Sequence, residues 1–261
     1  QNCQANGVPV NYVQLGNTVL TTGGGNINLQ PEDARTTTLG MVWTPAFAGG
    51  LTLTADYYEI KIENAIQSVA GSTKLALCYG TPGLSHPFCD SSNFTRNPVT
   101  GEIDFLSSQP VNAASERASG VDLGLLYEFQ WGQWHGSLDW DASYLDRYDL
   151  IPYQGGPTIE YAGKTTGGRG SYAKWRSLAE LAVSQGPWSG SYSLQYIGKV
   201  DDINASPGDI GDHAPSVTYH NAMARFAFDE SLSVALGIDN LFNKQAPFVQ
   251  SYTDANTDTM T

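Results

Sequence analysis

The side chains best suited to chemistry in this chain of 261 residues are dispersed along it. His86, His135, His213 and His220 share no ligand spacing with cysteines or carboxylates, so they do not form a zinc site. Gly163-Lys164-Thr165 has the ending of a phosphate-binding loop, but the earlier glycine position holds Thr158 and no strand-to-helix turn surrounds it. Asp139 and Asp141 would sit about 7 Å apart on one face of a strand, which suits lining a wet wall better than acid–base catalysis. The sequence therefore predicts no enzyme and no bound cofactor or metal. Cys78 and Cys89, 11 residues apart in a stretch rich in Gly and Pro, are placed to staple a loop, with two free buried thiols as the alternative. Cys3 is left over, which in an oxidising compartment suggests a partner outside these residues.

Charge removes one class of partner. The chain has 26 Asp and Glu against 13 Lys and Arg, a net charge of -13. A surface of that sign does not grip nucleic-acid phosphates, so nucleic acid is excluded as a partner. No run of 18 apolar residues is present to form a spanning helix, which leaves spanning strands open.

Polar and apolar residues alternate with a period of two, the signature of strands with unlike faces. Val121, Leu123, Leu125, Tyr127 and Phe129 alternate with Asp122, Gly124, Leu126 and Glu128. Leu138, Trp140, Ala142 and Tyr144 oppose Ser137, Asp139, Asp141 and Ser143, while Tyr192, Leu194 and Tyr196 oppose Ser191, Ser193 and Gln195. Leu232, Val234, Leu236 and Ile238 repeat the pattern. Strands are expected near 35–44, 51–62, 115–129, 135–147, 171–184, 188–198, 216–228 and 231–241.

Their connections alternate between short and long. Tight turns fall at Ala46–Gly50, Gln130–Trp134, Gln185–Pro187 and Asp229–Glu230, whereas 63–114, 148–170, 199–215 and the tail 243–261 are long. Transmembrane β-barrels of the outer membrane have this asymmetry, with short periplasmic turns and long extracellular loops. Aromatics gather at both ends of the strands, with Trp43, Phe129, Trp134, Trp188 and Phe226 near the tight turns and Tyr57, Tyr144, Trp175, Tyr196 and Tyr219 toward the long loops. Two such belts match two bilayer interfaces. Leu123, Leu125, Trp140, Leu194 and Leu236 are then expected to face lipid. Asp56, Asp139, Asp141, Arg176, Gln195 and Arg225 are expected to line the lumen or meet a ligand. Within 63–114, a helical turn is expected near Ser72–Leu77 and a hairpin from Phe94 to Leu106 turning at Asn97–Gly101. Asp201, Asp202, Asp209 and Asp212 read as an acidic outer rim.

Four motifs carry a family resemblance. Gly25-Asn26-Ile27-Asn28-Leu29-Gln30-Pro31-Glu32, Asp56-Tyr57-Tyr58-Glu59-Ile60-Lys61-Ile62 with Asn64-Ala65-Ile66, Ser119-Gly120-Val121-Asp122, and Gly237-Ile238-Asp239-Asn240-Leu241-Phe242-Asn243-Lys244 occur in this order. In order and spacing they resemble motifs of TonB-dependent outer-membrane receptors, with Ile27 standing where that family usually has Pro. The resemblance implies an all-β, antiparallel transmembrane barrel of 22 strands, filled by a plug, of which 1–261 supply the fourteenth to twenty-first. The N-terminal part and the closing strand are then expected outside these residues. It also implies location in the outer membrane of a Gram-negative bacterium, amid lipid and lipopolysaccharide. A small nutrient ligand such as a siderophore or oligosaccharide would be imported with energy from an inner-membrane TonB complex. A passive porin-like or adhesin-like barrel is the alternative, and a soluble β-rich glycan-binding protein a more distant one.

Overall fold

Turns and alternation together dictate a sheet in which each strand folds back beside the last. The structure, a computed structural model, describes residues 2–6, 8–10, 12, 19–167 and 169–252; the tail 253–261 and the side chain of Cys3 lie outside them. Among the described residues eight strands form the large sheet: β1 (Asp33–Trp43), β2 (Leu51–Ser68), β3 (Pro110–Trp131), β4 (Trp134–Ile151), β5 (Trp175–Gln185), β6 (Trp188–Ile197), β7 (Val217–Ala227) and β8 (Ser233–Ile238). They lie side by side in the order β8-β7-β6-β5-β4-β3-β2-β1, with the β4–β5, β5–β6, β6–β7 and β7–β8 pairs antiparallel. The short Ile159–Glu160 strand adds to β4. No helix among the described residues is long and apolar enough to cross a membrane.

Several strands run past the limits that alternation suggests. β2 continues to Ser68 rather than ending near 62, and β3 starts at Pro110 rather than 115. Charged and polar residues enter the pattern before the expected limits, from Glu59 on β2 and Arg117 on β3, so hydrophobic period two fades while the backbone ladder continues. Arg117 donates to Glu59, Lys61 also pairs with Glu59 at 3.2 Å, and Ser119 Oγ reaches Asp146 at 3.5 Å.

β8 is shorter than expected at both ends. Asp229 Oδ1 accepts from the Ser231 and Leu232 amides and from Ser231 Oγ at 2.7–2.9 Å, which holds 229–232 in a turn. Those bonds, the Ser231 hydroxyl first, keep the Asp229 carboxyl below the usual carboxylate range. At the other end Asn240 adopts φ 51°, where Asn is tolerated and a strand cannot continue. The β3–β4 turn depends on Gly132, whose φ of 62° suits a residue without Cβ.

The chain divides into two compact units. One comprises Gln1–Ala34, Ile62–Ser115 and Ile151–Thr158. In it helix α1 (Gly71–Gly80) is longer than the expected turn, because Cys78 buries into a core with Phe94 and Leu106, against which Leu75 packs. Such packing sustains a short helix that propensity alone would not. A disulfide joins Cys78 to Cys89, with Cα atoms 5.0 Å apart. The strands Phe94–Arg96 and Ile103–Ser107 pair antiparallel, and Thr21–Thr22 joins the latter in parallel. Asn97 Oδ1 accepts from the Val99 and Thr100 amides to close the hairpin.

The other unit comprises Arg35–Lys61, Glu116–Leu150 and Ile159–Thr261. Besides the long strands it holds a four-stranded sheet in which Gly170–Tyr172, Lys164–Thr166, Val200–Asp202 and His213–Ala214 follow one another. Its buried core is Ala173, Ile197, Val200, Ala214, Val217 and Val249. Of the segment expected as one strand at 171–184, only the part from Trp175 belongs to the large sheet.

Candidate functional site

Strand register decides which side chains share a face, since paired residues project the same way. Asp139 pairs with Glu180, Glu180 with Ser193, and Ser193 with Asn221. The next row runs Asp141, Leu178, Gln195, Tyr219, and beyond it Ser143, Arg176, Ile197, Val217. On the turn side, His135, Ser184, Ser189, Arg225 and Ala235 form a further row. Asp122 belongs to this face because it accepts from Ser143 Oγ at 2.6 Å. Gly124, near both Thr54 and Asp141 Oδ1, extends it to β2, where Thr54 and Asp56 share a side by alternation. The register thus gathers Asp56, Asp139, Asp141, Arg176, Gln195 and Arg225 on one mostly polar face. Leu178, Met223, Ile197 and Val217 interrupt it, an irregularity that alternation did not signal.

The opposite face is apolar. Its rows are Trp140, Ala179, Leu194, His220; then Leu138, Leu181, Tyr192, Ala222, Ile238; then Gly136, Val183, Gly190, Ala224, Leu236. Leu123 and Leu125 join them, one step in alternation from Asp122. None of these side chains is buried, and on β8 they are bare: Leu236 is 76% exposed and Ile238 57%. The polar atoms on this face find partners on it. Trp140 Nε1 donates to Ser177 Oγ at 2.7 Å, and the Tyr192 hydroxyl pairs with His220 Nδ1 at 2.6 Å. A surface meant for water does not need that provision; one meant for hydrocarbon does.

Aromatic rings close the apolar band at both ends. Tyr144 and Trp175 are cross-strand partners with ring centroids 4.7 Å apart, and Trp188 and Phe226 are partners at 4.6 Å. Ten residues separate Trp134 from Tyr144 (144 − 134), about 33 Å along the strand, or roughly 25 Å of height at the usual tilt. That is the height of the apolar band on outer-membrane barrels. Two residues past Tyr144 and Tyr57 stand Asp146 and Glu59, so the band ends where the polar extensions begin.

The motifs singled out in the sequence turn out to be anchors. Glu32 Oε1 accepts from the Ile66 amide at 2.6 Å, and Asn64, with φ 55°, donates from Nδ2 to Asp33 at 3.3 Å. Asn112 Nδ2 donates to the carbonyls of Gln30 and Asn64, both at 2.8 Å. Gly120 of the third motif lets β3 approach Tyr58 of the second, whose hydroxyl oxygen would lie 2.6 Å from an added Cβ. In the last, Asn240 exchanges two side-chain bonds with the Lys244 backbone, at 2.8 and 3.0 Å, while its amide donates to Asn221 Oδ1 at 2.9 Å.

The acidic outer residues are more engaged than a solvated rim would be. Asp202 is 5% exposed and accepts from Asn204 and Ser251. Asp201 pairs with Lys164 at 3.2 Å. Asp212 accepts from the Gly208 amide and from His213, and these bonds, Gly208 first, hold its carboxyl below the usual range. Proximity across the loop, invisible in sequence, made the difference. Among the described residues no group of three or more His, Cys, Asp or Glu is placed to hold a metal ion.

The family model described as TonB dependent receptor-like, beta-barrel, matches residues 5–241. The chain belongs to the TonB-dependent receptor family. It is accordingly a Gram-negative outer-membrane protein whose strands form part of a barrel, in a family of transporters rather than enzymes. Solved structures share the fold. A ferric enterobactin receptor (PfeA) in complex with BCV-L6 superposes with TM-score 0.57 at 15% identity, over 88% of this chain and 28% of its own. The FrpB iron transporter of Neisseria meningitidis, F5-1 variant apoprotein, gives 0.53 at 14%, over 85% and 28%. The outer membrane transporter YddB of Escherichia coli gives 0.55 at 9%, over 88% and 31%. The chain thus spans about three tenths of each of these receptors. No curated protein sequence matches it.

Proposed function

We propose that this TonB-dependent receptor chain is the wall and outer loop region of a nutrient importer. Its apolar face, with Leu123, Leu125, Trp140, Leu194 and Leu236, meets outer-membrane lipid and, at the outer belt, lipopolysaccharide. Its polar face, with Asp56, Asp139, Asp141, Arg176, Gln195 and Arg225, faces a hydrated lumen occupied by a plug. A small nutrient is captured by the loops at 63–114, 148–170 and 199–215 and passes inward with energy from an inner-membrane TonB complex. The observation that carries this reading is the division of the sheet from β4 to β8 into an apolar and a mostly polar face in a chain of this family. The iron transporter and ferric enterobactin receptor it resembles lend the fold; at 14–15% identity they do not lend their cargo.

Uptake in cells tests the proposal. Deleting the full-length receptor gene should abolish accumulation of its nutrient at low external concentration, and deleting the TonB complex should do the same. A passive porin-like barrel would instead keep importing without TonB and would conduct ions across a planar bilayer.

A further inference from the structure

The unit containing α1 encloses a cavity of about 490 Å³, within the range of small-molecule sites. Among the described residues its lining carries no Asp, Glu, Lys or Arg, although the chain as a whole has a net charge of -13. Side-chain amides supply its polarity, chiefly Asn28, Asn93, Gln109 and Gln154. Phe88, Pro87, Val111 and Ala113 supply apolar surface. We propose that this cavity is a binding site for a neutral, hydroxyl-rich ligand, a short oligosaccharide. The inference rests on the reading of the chain as a nutrient receptor and names its substrate class.

Hydrogen-bond chemistry favours such a ligand. A hydroxyl both donates and accepts, and an amide side chain offers two donors and an acceptor oxygen beside them. Gln109 Nε2 is held by the Gly25 carbonyl at 2.8 Å and Asn93 Nδ2 by the Pro87 carbonyl at 3.4 Å, so each keeps its amide oxygen for a ligand donor. His86 Nδ1 accepts from the Phe88 amide at 3.1 Å, which places the ring proton on Nε2 and makes that nitrogen a donor. Pro87, Val111 and Ala113, with the edge of the nearly buried Phe88 behind them, present the apolar wall that the C–H groups of a sugar ring cover. The Cys78–Cys89 disulfide closes the segment bearing His86, Pro87 and Phe88, which reduces the ordering cost of binding.

An anionic ferric chelate is a poor match. Its charge would lose water without gaining a cationic partner. An ammonium close behind the wall, that of Lys74, is wholly buried, donates to the Ser107 carbonyl at 2.9 Å and lies over the Phe88 ring. It cannot reach a ligand.

Calorimetric titration of the full-length receptor in detergent with maltotetraose, cellotetraose, xylotetraose and ferric citrate tests the inference. At least one of the three neutral sugars should bind. Asn28→Ala and Gln154→Ala, which remove exposed loop amides, should each weaken that binding about 3- to 10-fold, and Ala113→Trp, which fills the cavity, should abolish it. Absence of binding by all three sugars, or binding unchanged in all three variants, overturns the site. TonB-dependent uptake of ferric citrate without sugar binding would overturn this inference and leave the transport reading standing. Sugar binding with TonB-independent growth would keep the site and overturn the transport reading.

Discussion

Asp202 and Ser251, 49 residues apart, meet through two hydrogen bonds: Asp202 Oδ1 accepts from Ser251 Oγ at 2.5 Å, and Oδ2 from the Ser251 amide at 2.7 Å. Asn204 Nδ2 adds a third contact to Ser251 Oγ at 3.1 Å. Beside this tie Val249 enters the core formed by Val200, Ala214 and Val217, and the Gln250 amide donates to the Gly211 carbonyl. The segment after β8 is therefore sewn to the 200–214 hairpin by a buried carboxylate.

Replacing that carboxylate should free the segment. Asp202→Ala removes charge-assisted acceptors worth about 1.5–3 kcal/mol together with the partner of a backbone donor. Amide hydrogen exchange at 249–252 should accelerate by one to two orders of magnitude, about what that energy implies, while β5 and β6 amides stay protected. Equal acceleration throughout the sheet would contradict a local tie.

The Cys78–Cys89 bridge should matter within its own unit. The chain-entropy estimate for a loop of this length is about 3 kcal/mol. A Cys78→Ser/Cys89→Ser double variant should become sensitive to limited proteolysis between Gly71 and Asn97 in the otherwise folded receptor. Cleavage sites identical to those of the unaltered receptor would show that packing by Phe94 and Leu106 holds the unit without the bridge.

What could be read in advance followed from where burial leaves a mark. Along β4 to β8 one face is apolar, so period two located those strands to within a few residues, and register then placed all six polar candidates together. Toward the outer ends of β2 and β3 that mark already fades inside the expected limits, because Glu59, Lys61 and Arg117 satisfy one another instead of being buried. The four short strands around Lys164–Thr166 are too brief to show a period. Pairings such as Asp202 with Ser251 join residues remote in sequence, which one chain read alone cannot bring together. The cavity near Phe88 was equally hidden, since its lining comes from segments as distant as Asn28 and Gln154.

Lys74 predicts a pH dependence. It is wholly enclosed, and burial pushes its pKa below the ordinary lysine value. The unfolded chain then holds more protons than the folded one between the lowered value and the ordinary one near 10.4, so stability rises with pH across that alkaline range. Lys74→Met keeps the volume of the stem and removes the charge. The unit's melting temperature, followed by proteolysis or hydrogen exchange of 71–107, should lose this upward slope. A slope retained in the variant would assign it to another group.

The two faces make opposite demands at neighbouring positions, which a matched set of charges can expose. Leu236 lies on the apolar face, paired with Ala224, whereas Gln195 lies on the polar face between Leu178 and Tyr219. An arginine facing hydrocarbon near the bilayer midplane costs about 2–4 kcal/mol, and one facing a wet lumen costs little. In the full-length receptor, Leu236→Arg should therefore reduce the heat-modifiable, folded fraction in outer-membrane preparations, and Gln195→Arg should leave it unchanged. Leu194→Arg, one residue from Gln195 but on the apolar face, should behave like Leu236→Arg. If Leu194→Arg and Gln195→Arg are tolerated alike, the assignment of lipid and lumen to the two faces fails, because a single step along β6 is all that distinguishes them.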